Sequence, residues 1–266
     1  MKNFKLFTFV LASLTIVSCT GYNKVLKSDD YPSKFEVANQ LYDDGQELRS
    51  IALYEQIYQR MPKTGEGELS YFRIGKGYYL GADYYMAGYY LGQFSQRFST
   101  SEKAEDALFL SAMCSVKNSP EFSLDQNETD LAINDLQQFI DRFPSSILVD
   151  SCNSIIDGLR FKLEKKEFNA VELYSKTENY RAATSAALTF LDDYPMSVFN
   201  ERVSYLLVQN SYLLSKNSVE SKKKERIDQT IERYRTFVVS FPNSEYIGIT
   251  TDYYEKMELE KLKYQK

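Results

Sequence analysis

Five times along the chain, an apolar run with helical spacing stops on a large side chain at a fixed distance from a proline position. The endings are LYEQIYQRMP (to Pro62), YLGQFSQRFS (to Ser99, where the proline is lost), LQQFIDRFP (to Pro144), AALTFLDDYP (to Pro195) and RYRTFVVSFP (to Pro242). Aligned on that position, the residue twelve before it is small or short: Ser50, Ala87, Ala132, Ala183, Thr230. Eight before it stand Tyr54, Leu91, Leu136, Ala187 and Tyr234. Five before it stand Ile57, Phe94, Phe139, Phe190 and Phe237, and one before it Met61, Phe98, Phe143, Tyr194 and Phe241. Steps of four, three and four place all of these on one face of a helix. The small residue admits a close neighbour, the large one packs under the helix end, and proline forbids another turn.

A second helical pattern lies upstream of each ending, as with Tyr71, Ile74, Gly75 and Tyr78 before Ala87, Leu91 and Phe94. This is the tetratricopeptide layout, whose ordinary period is about 34 residues. Here successive endings lie 37, 45, 51 and 47 residues apart, so several repeats carry insertions. These are expected at 118–128, at 215–225 and in an elongated helix around 148–176. Sustained period-two alternation is absent, which argues against strands. The expected fold is all-α: a solenoid of about five degenerate helix pairs, each burying its apolar face on its neighbours. Its groove, lined by the first helix of each pair, suits extended peptides or partner helices.

The N-terminus reads MKNFKLFTFVLASLTIVSC. Lys2 and Lys5 followed by an apolar run from Leu6 to Val17 form a signal-peptide layout, too short for a comfortable membrane span. Ile16-Val17-Ser18-Cys19 resembles a bacterial lipobox, in which the cysteine is acylated; the alternative is an ordinary secretory signal with an incidental cysteine. The expected segments are 1–18 signal peptide, 19–32 an extended lipidated tether, 33–146 N-terminal repeats and 147–266 C-terminal repeats. No acidic residue follows Cys19 in TGYNK, which favours a periplasm-facing outer-membrane position over export to the cell surface.

The chemistry-bearing residues are sparse. With no histidine among 266 residues, Ser-His-Asp and Cys-His sets are impossible, and no metal site or cofactor is expected. The chain therefore reads as a non-enzyme. A net charge of −5 without a basic stripe argues against nucleic acid. Asp29-Asp30, Asp43-Asp44 and Asp192-Asp193 read as solvated or turn residues, GEGE at Gly65–Glu68 as an inter-repeat loop. Lys222-Lys223-Lys224 reads as a polar loop, solvated or touching an acidic partner. Cys114 and Cys152 read as buried apolar residues or, since the periplasm permits it, as a disulfide. The tyrosine cluster of the second repeat is denser than one core can absorb, because helical neighbours diverge by about 100°. Some of these rings must reach the surface; the alternative is an aromatic-rich core with surface spill.

Three segments make the pattern specific. SEKAEDALFLSAMC (Ser101–Cys114), SPEFSLDQNETDLAINDLQQFIDRFPSS (Ser119–Ser146) and DGLRFKLEKKEFNAVELYSKTENYRAATSAALTFLDDYP (Asp157–Pro195) resemble the BamD family, its Bacteroidota-like branch in particular. The resemblance implies a lipoprotein scaffold of the outer-membrane β-barrel assembly machinery, anchored by acylated Cys19. It implies docking of BamA-like POTRA domains on the C-terminal repeats and binding of unfolded barrel proteins on the N-terminal ones. The client-groove candidates are then Tyr54, Tyr58, Tyr71, Tyr79, Tyr84, Tyr85 and Tyr89. A SusD-like glycan binder and a peptidoglycan-machinery regulator are the alternatives. The lack of tryptophan weighs against the former.

Overall fold

The computed structural model describes residues 21–264; the signal segment and Cys19 lie outside the described residues. Eleven long helices follow in order: α1 (Tyr31–Asp43), α2 (Glu47–Arg60), α3 (Gly65–Leu80), α4 (Tyr84–Arg97), α5 (Ala104–Asn118), α6 (Asn127–Arg142), α7 (Val149–Lys176), α8 (Tyr180–Asp193), α9 (Asn200–Lys216), α10 (Glu220–Ser240) and α11 (Ile247–Lys261). No strand occurs among the described residues. The helices form five consecutive pairs, α1/α2 to α9/α10, with α11 after the last. The five endings close α2, α4, α6, α8 and α10, the second helices. The chain divides into two compact units at Ile156–Asp157, inside the 28-residue α7. The boundary expected at 146–147 falls just before that helix.

The endings share one geometry. Met61, Phe98, Phe143, Tyr194 and Phe241 all leave the helix at φ between −133° and −114° and ψ between 51° and 63°. A residue before proline is driven out of the α region by the proline ring, and Phe98 adopts the same geometry before a serine. Each of these N–H groups still donates to the carbonyl four residues back, that of Ile57, Phe94, Phe139, Phe190 or Phe237. In four repeats the two rings so joined lie 4.9–5.8 Å apart and tilted by 36–42°. The five small residues twelve before the proline position are all buried, as is each residue five before it.

A further regularity follows the proline. Thr64, Ser101, Ser146, Ser197 and Ser244 stand two residues beyond it, and each donates its N–H to the carbonyl of the residue before the proline position at 3.0–3.2 Å. Their hydroxyl oxygens accept N–H bonds from the start of the next helix, at 2.9–3.2 Å. Two hydroxyls also reach the previous repeat: Ser101 donates to Glu68 and Ser197 to Glu164, both 2.5 Å. The turn between repeats is thus hydrogen-bonded on both sides, satisfying groups that helix ends leave orphaned.

Three expectations need correction, while the buried-cysteine reading and the insertion at 118–128 stand. Residues 21–27 are helical, not extended, and Tyr22, Val25 and Leu26 pack on the first-repeat core. Tyr22 donates its hydroxyl to the Arg49 carbonyl at 3.1 Å under the Arg49 guanidinium. GEGE is not a loop: it forms the first turn of α3, capped by Thr64. The lysine run lies on the first turn of α10, where Lys223 pairs with Glu260 of α11 at 3.0 Å. Cys114 and Cys152 are free and buried, and burial pushes the Cys114 thiol up to about 12. The insertion after α5 is a true loop, pinned by Gln126, whose Nε2 donates to the carbonyls of Glu121 and Leu124.

Candidate functional site

The tyrosines of the first two repeats separate into three layers. Helices α3 and α4 supply most of them, and because consecutive side chains on a helix diverge, the adjacent pairs Tyr84/Tyr85 and Tyr89/Tyr90 are each split between layers.

Tyr54 lies deepest, with 0% of its surface exposed. Its hydroxyl donates to Asn39 Oδ1 at 2.8 Å and accepts from Arg73 Nη1 at 2.8 Å, while Arg73 also donates to Asn39 at 2.5 Å. This closed triad holds three helices, α1, α2 and α3. Tyr54 therefore supports the surface and does not line it, contrary to the sequence expectation.

Tyr71, 3% exposed, is the hub of the second layer. Its ring lies 4.4 Å from that of Tyr58 and 5.4 Å from that of Tyr90, with the Arg97 guanidinium 5.3 Å from its centroid. Arg97 donates to the Tyr58 hydroxyl at 3.1 Å. Tyr90 stacks on Tyr78 at 5.7 Å and donates to Glu55 at 3.4 Å. Tyr79 and Tyr84, half-buried and 5.7 Å apart edge to face, pack in the cluster that holds Cys114 of α5.

Two candidates are left at the surface. Tyr85 is 68% exposed and Tyr89 58%, one turn apart on α4, with exposed Met86 between them in sequence. Tyr89 meets Tyr90 edge-on at 5.4 Å, which ties the outer ring to the second layer. The exposed pair thus sits on the second helix of its repeat, not on the first as a first-helix groove would require. Such rings give a flat apolar face with a polar tip at low ordering cost, the usual makeup of a protein-binding surface.

Sequence reasoning missed the polar partners Asn39, Arg73, Glu55 and Arg97. One signal was available: arginine recurs two residues before the proline position as Arg60, Arg97 and Arg142. Arg73 and Asn39 had none, since their pairing crosses 34 residues.

Burial pushes Tyr54 and Tyr90 up to about 12, and the carboxylate of Glu55 adds to the Tyr90 shift. A phenol with its folded pKa raised contributes stability below its unfolded value near 10, lost as pH rises to the folded value. The melting temperature should therefore hold up to about pH 10 from these groups and fall between about 10 and 12. A Tyr54→Phe/Tyr90→Phe variant should lose the latest-titrating component in a near-ultraviolet phenolate titration. An unchanged titration would contradict the assignment.

Among the described residues, no cluster of three or more His, Cys, Asp or Glu could hold a metal ion. No described helix is long and apolar enough to cross a membrane. Helix pairs closed by one recurrent capped turn, with an aromatic surface on the second pair, define an all-α protein of tetratricopeptide type. Residues 29–198 match the YfiO family, outer membrane lipoprotein, and the chain belongs to that family, which includes BamD. No curated protein matches it. Among solved structures, it is similar to a kinesin light chain of Podosopora anserina with nearly identical TPR-like repeats. That match has 12% identity and a TM-score of 0.32, covering 80% of this chain and 97% of the other.

Proposed function

We propose that this chain is a non-enzymatic scaffold of an outer-membrane β-barrel assembly complex, facing the periplasm and anchored through acylated Cys19. Membership of the outer membrane lipoprotein family is the observation that carries the reading. The N-terminal repeats bind unfolded barrel proteins at the Tyr85–Tyr89 surface, with Tyr58, Tyr79 and Tyr84 half-buried beside or behind it and Tyr54 and Tyr71 as its frame. The C-terminal repeats dock the BamA-like barrel-forming subunit through its POTRA domains. Support for the client surface comes from two exposed rings one turn apart on α4, of which Tyr89 rests edge-on against Tyr90 of the hydrogen-bonded aromatic frame, which lowers the ordering cost of binding.

Capture with the lipidated protein should recover a POTRA-bearing barrel subunit. Its absence, with barrel-protein levels unchanged on depletion, rejects the reading. For the client surface, Tyr85→Ala/Tyr89→Ala should weaken binding of a barrel-protein C-terminal peptide. At about 1 kcal/mol per ring, the double variant loses roughly thirtyfold in affinity. Photocrosslinks from positions 85 and 89 to that peptide should disappear on competition with unlabelled peptide. Crosslinks confined to the C-terminal repeats would remove the client role from α4.

A further inference from the structure

The arginine two residues before the proline position ties α4 and α6 each to the second helix before it. Arg97 of α4 donates to the Tyr58 hydroxyl of α2 at 3.1 Å. Arg142 of α6 donates to the Ser95 hydroxyl of α4 at 2.9 Å and to its carbonyl at 2.8 Å. Arg60 of α2 holds the same position, but no second helix precedes α2 among the described residues. Its guanidinium finds no acceptor among those residues. In place of a helix, residues 26–29 share an open pocket of about 330 Å³ with the last turn of α2 and the start of α1.

The pocket is rich in donors. Lys34 stands in it with only 3% of its surface exposed. Its ammonium donates to Gln56 Oε1 at 2.6 Å and lies 4.9 Å from the Tyr31 ring centroid, which leaves donors over. Because Gln56 turns its oxygen to Lys34, its amide nitrogen is left to donate elsewhere. The Ser28 oxygen accepts the Asp30 N–H at 3.4 Å and keeps its own proton free. Lys27 lines the pocket beside Arg60, and one carboxylate, that of exposed Asp29, also reaches it. None of the ion pairs among the described residues includes Lys27, Asp29, Lys34 or Arg60. The lining thus holds three cations against one anion, an excess of two positive charges. The deepest of them is an ammonium without a counter-ion, a costly arrangement for a buried charge.

A phosphate group answers each of these features. Its oxygens act as acceptors, and as a monoester it carries about −1.5 to −2 charges at neutral pH. A lone carboxylate would offset only half of the excess. We propose that the pocket between residues 26–29, α1 and α2 binds phosphate, free or as a monoester, with Lys34 as its buried anchor and Lys27 and Arg60 at its rim. Bonds from charged donors to phosphate oxygens are the strong class of hydrogen bond, and they would neutralise the Lys34 ammonium where it is buried. The volume lies at the small end of the range for ligand sites and holds the phosphate with a small esterified group. The site shares no residue with the client surface on α4 or with the C-terminal repeats, so neither of those roles falls with it.

The test uses the full mature chain in detergent with lysine carbon-labelled at Cε, titrated with inorganic phosphate at neutral pH and constant ionic strength and followed by NMR. One buried lysine resonance should shift saturably at millimolar phosphate, and acetate at the same ionic strength should leave it unmoved. Lys34→Met should remove that resonance and the binding with it. Arg60→Gln, an exposed change, should keep the resonance and weaken binding roughly tenfold, which keeps the test valid if the methionine variant fails to fold. Glycerol 1-phosphate separates the sources. Affinity equal to or above that of inorganic phosphate identifies an esterified phosphate, such as a headgroup, and lower affinity identifies the free ion. A shift that does not saturate, an equal response to acetate, or full affinity in Arg60→Gln would overturn the proposal.

Discussion

Gly67→Ala should destabilise the first unit by about 3 kcal/mol, the upper range for forced overpacking. A Cβ at this position would lie 1.9 Å from the Met61 carbonyl oxygen, 2.8 Å from its carbon and 3.2 Å from Pro62 Cα. All three are backbone atoms, so no rotamer change relieves the clash. The contact cannot simply open, because the Gly67 N–H is held by the Thr64 hydroxyl at 3.1 Å and Thr64 in turn bonds back to Met61. The start of α3 would have to tilt, and α3 carries Tyr71, Tyr78 and Tyr79. Urea unfolding followed by tyrosine fluorescence should show the loss, with a fall in melting temperature of roughly 6–12 °C. Gly158→Ala is the control: nothing lies within 4 Å of its Cβ position, and helix propensity predicts a gain of about 1 kcal/mol. A loss below about 1 kcal/mol for Gly67→Ala would show that the turn yields more readily than its hydrogen bonds imply.

The same segment shows where sequence reading stops. GEGE reads as an inter-repeat loop, yet Thr64 as N-cap and Glu66 and Glu68 in the first turn are helix-start signals. Gly67 serves close approach, a requirement visible only once Met61 and Pro62 are in place. Residues 21–27 failed for a related reason. Tyr22, Val25 and Leu26 have helical spacing, but only the neighbouring core makes a short helix worth forming. By contrast, the recurrent endings were legible because proline, a small residue and two large ones act locally on one helix. The site was half legible. Density of tyrosine marked the second repeat, but which ring is buried depends on α2 and α5 packing on either side. Tyr54 looked like any other candidate until Arg73 and Asn39 closed over its hydroxyl.

Phe190→Ala should remove about 4 kcal/mol from the second unit, within the 3–5 kcal/mol typical of a buried phenylalanine. In this repeat the residue one turn earlier is Ala187, where other repeats place Tyr54, Leu91 or Leu136. The Phe190 ring therefore carries a larger share of the burial of α8 than its counterparts carry in theirs. It packs edge-on to Phe168 at 6.5 Å and tilted on Tyr194 at 5.1 Å, inside the cluster that includes Val171, Val203 and Phe237. Its carbonyl also receives the Tyr194 cap N–H, so loss of the ring loosens the point where the helix ends. Tyr194→Ala, at a half-buried position, should cost less, about 1–2 kcal/mol. Hydrogen exchange should show lost protection in α8 for Phe190→Ala. Client-peptide binding at Tyr85 and Tyr89, in the other unit, should stay unchanged in Phe190→Ala. A loss below about 2 kcal/mol would mean that the ring does not carry the larger share of the burial of α8 that Ala187 leaves to it.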